Sequence, residues 1–250
     1  MPTLRVIRSG PQRPAWNMAV DDALLESGEA ETLRFYSWRP HALSLGWFQD
    51  LDRETRRRFE SAGFAIVRRM TGGGAIVHAD ELTYSLSGPE SGPLFRGKVE
   101  ASYRLAHDAI VAAAAALGAA LAYAKEDGAP TALRRSEQPF YCFARSTALD
   151  LTAAGRKIVG SAKRRRGGRA VQHGSIILGR SPFDAEPTGL ETVLGRRPDV
   201  DELSDLILRE TTRQTDLVAY EGALTEAETA AARAIEADRY GGPNAADTVS

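Results

Sequence analysis

The strongest constraint on the fold is a series of short apolar segments in the first 86 residues. They lie near residues 4–6, 33–35, 42–47, 64–68 and 75–86. In the third segment Leu43, Leu45 and Trp47 alternate with polar or small residues, a period of two that predicts a β-strand with one buried face. Because the segments follow one another in hairpin-like pairs, the sequence predicts an α+β fold and not a doubly wound parallel sheet.

Helical patterns separate and follow these strands. A first helix is predicted after Pro14 and is closed by Gly28, and a short basic helix ends at Gly63. Because alanine is the best helix former, a long helix is predicted over about 99–124. A proline-containing loop is predicted at 125–147, then strands near 149–151, 158–159 and 171–178. Residues 181–250 are predicted to be mainly helical, and no linker divides the chain, so 1–250 is predicted to be a single domain.

Composition narrows the functional classes. The 32 Lys and Arg residues against 33 Asp and Glu give a formal net charge of −1, so no global field favours nucleic acid or a membrane surface. The most apolar run, residues 109–124, is too short and too rich in alanine to span a bilayer, and the first ten residues lack the apolar core of a signal peptide. A single cysteine fits a reducing compartment. We therefore expect a cytoplasmic protein without nucleic-acid or membrane partners.

Three consecutive glycines stand out in RRMTGGGAIVHADELTYS, residues 68–85. Glycines strip side chains from the backbone and permit positive φ, so exposed N–H groups of Gly72, Gly73 and Gly74 can approach an anion or a carbonyl. Arg68 and Arg69 add two guanidinium groups suited to a phosphate or carboxylate. The alternative is a plain hairpin turn beside two solvated arginines. The segment is not a Walker A loop, because no Gly-Lys-Ser/Thr follows.

The only cysteine, Cys142, precedes Lys157 by fifteen residues. A lone cysteine is more often a buried small hydrophobe than a nucleophile, but this one lies between Tyr141 and Phe143 in a polar loop. An ammonium about 4 Å from a thiolate contributes roughly 4 kcal/mol at an effective dielectric of about 20. That is enough to favour a thiolate near neutral pH, provided that the two side chains meet, which the spacing alone does not decide.

A basic segment and four histidines complete the candidate groups. KRRRGGR, residues 163–169, is predicted to be a turn between two strands, either simply solvated or docking an acidic protein partner. The histidines show no metal-ligand spacing, so no metal site is predicted. His107 is expected on a helix surface, and His78 and His173 lie in strand-like segments where a structural histidine is expected. No nucleophile elbow of the type G-x-S-x-G is present.

Four motifs in order resemble the biotin/lipoate protein ligase superfamily. They are NMAVDDALL (17–25), ALSLGWFQ (42–49), RRMTGGGAIVH (68–78) and GRKIVGSAKRR followed by QHGSIIL (155–177), and the similarity spans about residues 4–180. The resemblance implies a mixed, largely antiparallel sheet flanked by helices, with an acyl-binding tunnel beside the glycine turn. We expect Ile76, Leu82 and Ile158 to line this tunnel.

The superfamily contains two chemistries that the resemblance leaves open. Octanoyltransferases and the related amidotransferases carry octanoate on a cysteine thioester, whereas lipoate–protein ligases activate a free acid with ATP and Mg²⁺. The segments Tyr141–Phe143 and ELTYS at 81–85 resemble the octanoyltransferases of Gram-positive type. One departure is Ala79, which stands where the family has an aspartate after the histidine, so its role falls to Asp80 or Glu81 or is lost.

The resemblance therefore implies an enzyme that moves octanoate from acyl carrier protein to a lysine of a lipoyl domain or of glycine-cleavage H protein, without a cofactor. Its catalytic residues are expected to be Cys142 and Lys157. Backbone N–H groups of either Gly72–Gly74 or Gly160–Ala162 are expected to hold the oxyanion. The expected substrate-binding residues are Arg68, Arg69, Gly72, Gly73, Gly74, His78, Gly160, Ser161 and Ala162. Docking is expected at Lys163, Arg164, Arg165 and Arg166. An ATP-dependent ligase, an amidotransferase with octanoyl-H protein as donor, or a non-enzymatic binding module are the alternatives.

Overall fold

The computed structural model describes residues 1–26, 28–125, 140–144, 147–180, 183 and 189–241. Within these residues an eight-stranded sheet has the strand order β11–β1–β2–β6–β10–β9–β8–β7, and a smaller sheet has the order β4–β3–β5. The strands are β1 (Thr3–Gln12), β2 (Glu31–Trp38), β3 (Ala42–Leu45), β4 (Ala65–Arg68), β5 (Ile76–His78), β6 (Glu81–Pro89), β7 (Ala122–Tyr123), β8 (Leu151–Ala153), β9 (Arg156–Arg166), β10 (Arg169–Ile177) and β11 (Val218–Glu221).

In the part of the chain that the structure describes, six α-helices accompany the sheets. They are α1 (Pro14–Glu26), α2 (Arg53–Ser61), α3 (Val99–Leu117), α4 (Leu190–Leu194), α5 (Val200–Thr215) and α6 (Glu226–Ile235), the last continued by a π-helical turn at Glu236–Tyr240. The predicted α+β class, a mixed and largely antiparallel sheet flanked by helices, is confirmed. The first helix and the short basic helix also form where the sequence predicts them. Most of the predicted loop at 125–147 lies outside the described residues.

The expected hairpin-like pairing is wrong for the first strands. β1 pairs with β2 in parallel, and β11 joins the other edge of β1 in parallel. From β2 onward every pair is antiparallel, in the order β2–β6–β10–β9–β8–β7. The helix α1 between β1 and β2 provides the crossover that a parallel pair requires. A period of two reveals which face of a strand is buried but not which strand lies beside it, so the pairing was not readable from the pattern.

Two further boundaries differ from the prediction. The long helix ends at Leu117, because Gly118 adopts a φ of 101° and its N–H bonds back to Ala114 and Ala115. The chain then reverses to form β7, so residues 118–124 are not helical. The predicted basic turn is also shorter than expected: β9 continues through Arg166, and only Gly167 and Gly168, both with positive φ, make the turn.

The main sheet is covered on both faces. Along β2, Leu33 and Phe35 belong to the core beneath α3 and α5, whereas Tyr36 and Trp38 belong to the core beneath α1 and α6. The alternation follows from the pleat, which sends successive side chains to opposite faces. The smaller sheet packs on the same face of the main sheet as α1. A cavity remains between the two sheets.

Candidate active site

The two candidate catalytic side chains meet. Lys157 Nζ lies 3.5 Å from Cys142 Sγ and 3.4 Å from the carbonyl oxygen of Cys142. Cys142 begins a short 3₁₀ turn and is half-buried, whereas Lys157, near the start of β9, is buried. Because the residues are fifteen positions apart, only the fold brings the thiol and the amine together.

The glycine turn holds the cysteine segment in place. The N–H of Ala75 donates to the carbonyl of Phe140 at 2.8 Å, and the N–H of Cys142 donates to the carbonyl of Ala75 at 2.7 Å. A Cβ on Gly74 would lie 2.8 Å from the backbone nitrogen of Cys142, so a side chain there would displace this segment. The third glycine therefore permits the close approach of the nucleophile segment to the loop.

Lys157 is enclosed by acceptors. In addition to the two atoms of Cys142, its Nζ lies 2.9 Å from Asp150 Oδ2, and Asp150 is itself buried. The ring of Phe143 lies 5.0 Å from the same nitrogen. Gly160 makes room for this side chain, since a Cβ at that position would lie 2.4 Å from Lys157 Cε.

The two arginines are neither solvated nor aimed at an open anion site. Arg68 and Arg69 are buried, and their guanidinium groups donate to backbone carbonyls: Arg68 to Gly46, Trp47 and Gln49, Arg69 to Ser44, Gly72 and Gly74. The solvated alternative is therefore wrong. Burial lowers the pKa of Arg69 to about 10, and the electrostatic interaction with Cys142 opposes that shift, so Arg69 remains a cation near the cysteine at neutral pH.

A narrow cavity of about 50 Å³ separates the two sheets and ends at Cys142. Its lining includes the predicted residues Arg69, Gly72, Gly73, Ile76, His78, Gly160, Ser161 and Ala162, together with Met18, Tyr36, Trp38 and Thr83. Leu82 and Ile158 do not line it and instead belong to the core beneath α3. The pleat explains the error for Leu82, because its neighbour Thr83 takes the cavity face.

His78 is oriented at one wall of this cavity. Its Nδ1 donates to Glu81 Oε1 at 2.8 Å, its Nε2 lies 2.7 Å from Ser44 Oγ, and its ring stacks on Trp38 at 3.9 Å between centroids. Glu81 thus supplies the carboxylate beside His78, where Ala79 replaces the aspartate of the family pattern. Asp80 instead pairs with Arg197, at 2.6 Å. Burial would raise the pKa of Glu81, but the charge and hydrogen bond of His78 outweigh it and hold that pKa below its usual range.

The expectation that His107 lies on a helix surface is wrong. It is fully buried, and burial lowers its pKa to about 4, so the ring is neutral near pH 7. Its Nδ1 donates to the carbonyl of Leu149 at 2.6 Å, which leaves Nε2 to accept from Ser161 Oγ at 2.6 Å. Tyr84 also bonds Ser161 Oγ at 2.6 Å. These bonds fix the strand segment that passes Cys142.

The basic segment is largely engaged within the chain. Lys163 Nζ donates to Ser102 Oγ at 2.6 Å, and burial lowers the pKa of Lys163 to about 8. Arg165 pairs with Glu90 at 3.3 Å, and Arg166 pairs with Glu26. Arg164 instead lies over the ring of Trp47 at 5.9 Å, beside the exposed Phe48. Lys163 also lies near an aromatic ring, with its Nζ 5.5 Å from the ring centroid of Tyr103.

Sequence reasoning missed Asp150 and Trp38. Asp150 lies in no motif that distinguishes it from other acidic residues, although it directly precedes β8, which pairs antiparallel with β9, the strand of Lys157. Within the described ranges no helix is long and apolar enough to cross a membrane. In the same part of the chain no group of three or more His, Cys, Asp or Glu side chains is arranged to hold a metal ion.

The chain belongs to the lipoyl protein ligase A/B catalytic domain family, whose model matches residues 13–212. This result confirms the resemblance carried by the sequence motifs. Octanoyltransferase LipM of Moorella thermoacetica is 36% identical over 254 residues, which cover 90% of this chain and 91% of that relative. Octanoyltransferase LipM of Staphylococcus aureus is 38% identical over 182 residues, 70% of this chain and 66% of that relative.

Solved structures show the same fold. The T. acidophilum protein Ta0514, determined with bound lipoic acid, matches with a TM-score of 0.78 at 20% identity and covers 98% of both chains. Lipoate-protein ligase A bound with ATP matches with a TM-score of 0.74 at 21% identity and covers 97% of both chains. At these identities the similarity establishes the architecture and not the reaction.

Proposed function

We propose that this chain is an octanoyltransferase of lipoate biosynthesis that works through a thioester on Cys142. The observation that carries the proposal is the 3.5 Å distance between Cys142 Sγ and Lys157 Nζ at the end of the cavity between the sheets. A thiolate beside an ammonium is an activated nucleophile. The adjacent cavity of about 50 Å³ has a mainly apolar lining that suits an acyl chain, but it must widen to hold eight carbons. The relatives named octanoyltransferase LipM support the acyl group that we assign.

The proposed reaction has two half-reactions. In the first, the Cys142 thiolate forms a bond to the carbonyl carbon of octanoyl-acyl carrier protein, and the bond from that carbon to the carrier sulfur breaks. The carrier leaves as a thiolate that takes a proton from solvent. In the second, a lysine amine of a lipoyl domain or of H protein forms an amide bond, and the bond from carbon to Cys142 Sγ breaks. Backbone N–H groups of Gly72 and Gly73 or of Gly160, Ser161 and Ala162, all at the cavity, are the candidates for holding the oxyanion.

The thioester supplies the driving force in this scheme. Converting a thioester to an amide is downhill, so the proposal includes neither ATP nor a metal. The alternative is an ATP-dependent lipoate–protein ligase, in which Lys157 and the glycine turn bind an acyl-adenylate and Cys142 takes no part. A further alternative is an amidotransferase that takes octanoate from H protein.

Intact mass distinguishes these reactions. The protein is mixed with octanoyl-acyl carrier protein without ATP, beside the Cys142→Ser variant and beside a reaction with octanoyl-H protein as donor. We expect a gain of one octanoyl group from the carrier protein, sensitive to hydroxylamine and absent in the variant. An adduct from H protein alone would indicate the amidotransferase. No adduct from either donor, with acylation of a lipoyl domain only when free acid and ATP are supplied, would contradict the proposal and favour the ligase.

Docking of the acidic protein substrate is assigned to the end of β9, with Arg164 at its centre. Arg164→Glu should raise the KM for the carrier protein roughly tenfold and leave kcat nearly unchanged, because a rim charge acts mainly on encounter and salt dependence. Steady-state kinetics at several salt concentrations measure this change. The matched control is Arg213→Glu on α5, where Arg213 is exposed and pairs with Glu210. An unchanged KM in Arg164→Glu would remove the docking role.

A further inference from the structure

Asp150 also contacts the amine of Lys157. Its Oδ2 lies 2.9 Å from Lys157 Nζ, and the side-chain exposures of the pair are 3% for Lys157 and 6% for Asp150. A backbone group also holds the carboxylate, since the N–H of Thr147 donates to the same oxygen at 2.6 Å. Its backbone is held by the N–H of Ala124, which donates to the Asp150 carbonyl at 2.9 Å.

The contacts of Lys157 suit an ammonium better than an amine. A lysine ammonium has three N–H donors, and the nitrogen faces three acceptors: Asp150 Oδ2, the Cys142 carbonyl and Cys142 Sγ. A neutral amine would have two N–H groups and a lone pair, which needs a donor. Only the protonated thiol of Cys142 can supply one, and a thioester sulfur carries no proton.

The other ionisable groups nearby do not replace Asp150. His107 on α3 is neutral near pH 7, because burial lowers its pKa to about 4. Burial raises the pKa of Tyr103 on α3, so that hydroxyl is also neutral. Arg69 from the glycine loop is a cation. Among these groups Asp150 alone is an anion in contact with Lys157.

We propose that Asp150 is a positioning residue that holds Lys157 as an ammonium in both half-reactions. Lys157 then stabilises the sulfur of Cys142 as a thiolate, first when it attacks the donor and again when it leaves the acyl-enzyme. It does not act as the base for the incoming lysine amine, whose proton passes to solvent after the C–N bond forms. The statement about the two half-reactions rests on the proposed function, whereas the statement about the free protein does not.

Alkylation of Cys142 by iodoacetamide tests the free protein, and it is specific because the chain has a single cysteine. The second-order rate constant is measured from pH 5 to 11 for the wild type, Asp150→Asn, Lys157→Met and the double variant, with the exposed Asp201→Asn as matched control. We expect Asp150→Asn to react about tenfold more slowly at pH 7 and to reach the wild-type rate near pH 10, because the thiolate and not the thiol reacts. Lys157→Met should give the same profile, and the double variant no further loss.

Three outcomes would overturn the proposal. A wild-type profile for Asp150→Asn would mean that the carboxylate is not needed. A rate reduced equally at all pH values would mean that the substitution only distorts the site. Additive losses in the double variant would mean that Asp150 and Lys157 act separately.

A second measurement uses the wild-type side chain and so does not depend on the folding of Asp150→Asn. The chain has four lysines, so the ¹⁵N resonance of the Lys157 side chain can be assigned with Lys157→Arg. It should keep the chemical shift of an ammonium from pH 6 to 9, both before and after chemical octanoylation of Cys142. A change to the shift of an amine within this range would contradict the proposal. Neither measurement uses a protein donor, so failure of octanoyl transfer from the carrier protein would be a separate result.

Discussion

Cys142→Ser should lower octanoyl transfer to a lipoyl domain by at least about 10⁴-fold, because loss of a covalent nucleophile removes the whole two-step route. A serine hydroxyl is not ionised near neutral pH, and one ammonium 3.5 Å away does not convert it to an alkoxide. A thiolate, by contrast, is the nucleophile that the proposed mechanism requires. The effect should therefore be on kcat, with little change in the KM for the carrier protein.

The measurement is the rate of lipoyl-domain acylation by intact mass, with octanoyl-acyl carrier protein as donor and without ATP. Because Cys142 is half-buried and its side chain is small, the substituted protein should unfold at nearly the same temperature as the wild type. Retention of activity that depends on ATP would identify the ligase reaction and leave Cys142 as a bystander. Retention without ATP would place the nucleophile elsewhere.

Arg34→Met should lower the free energy of unfolding by about 3–5 kcal/mol, the usual cost of leaving one member of a buried ion pair alone. Arg34 and Asp21 have side-chain exposures of 1% and 0%, and their atoms Nη1 and Oδ1 lie 3.1 Å apart. The guanidinium also donates to Asn17 Oδ1 at 2.6 Å and lies 4.0 Å over the ring of Tyr36. Methionine fills a similar volume but supplies no donor to these acceptors.

The effect of Arg34→Met should depend on pH. Burial would raise the pKa of Asp21, but the hydrogen bond from His173 and the charge of Arg34 outweigh it and hold that pKa below its usual value. A group with a lowered pKa in the folded state contributes stability above its unfolded pKa, about 3.9 for aspartate, and loses that contribution as the pH falls through the folded value. The difference between variant and wild type should therefore be full at pH 7 and shrink below about pH 4.

Urea unfolding at pH 7 and at pH 3 to 4 measures both expectations. Arg213→Met is the matched control, because Arg213 is 68% exposed in its pair with Glu210 and an exposed ion pair contributes about 0–1 kcal/mol. A loss for Arg34→Met no larger than for Arg213→Met would show that the buried pair adds no net stability. Equal differences at both pH values would show that Asp21 does not mediate the effect.

The local elements of the fold follow largely from the sequence. The alternation of Leu43, Leu45 and Trp47 records a strand, although β3 ends at Leu45 and is buried on both faces. A glycine shortly after each early helix records where that helix stops. Partners across a sheet leave no such record. This is why the parallel pairing of β1 with β2 and the extra edge strand β11 were not predicted.

The candidate site was likewise predicted only in part. Its candidate catalytic pair, its glycine turn and much of its cavity lining were predicted from motifs and composition, and the structure brings these residues together. The expected tunnel residues Leu82 and Ile158 and the surface position of His107 were wrong. Each error concerns the direction of a side chain, which changes by half a turn with one residue in a strand and depends on packing in a helix.

By itself the sequence determined the α+β class, the family and the presence of one thiol, because these depend on residue types and on order along the chain. Only the tertiary structure decided that this thiol lies beside Lys157 and that Asp150 contacts the same amine. Arg68 and Arg69 illustrate the same limit, since an arginine in a motif is equally suited to a phosphate and to a backbone carbonyl. Burial settles which is bound: where water is excluded, every donor must find an acceptor. Backbone carbonyls of residues 46–49 supply acceptors to Arg68, and those of the glycine loop supply acceptors to Arg69.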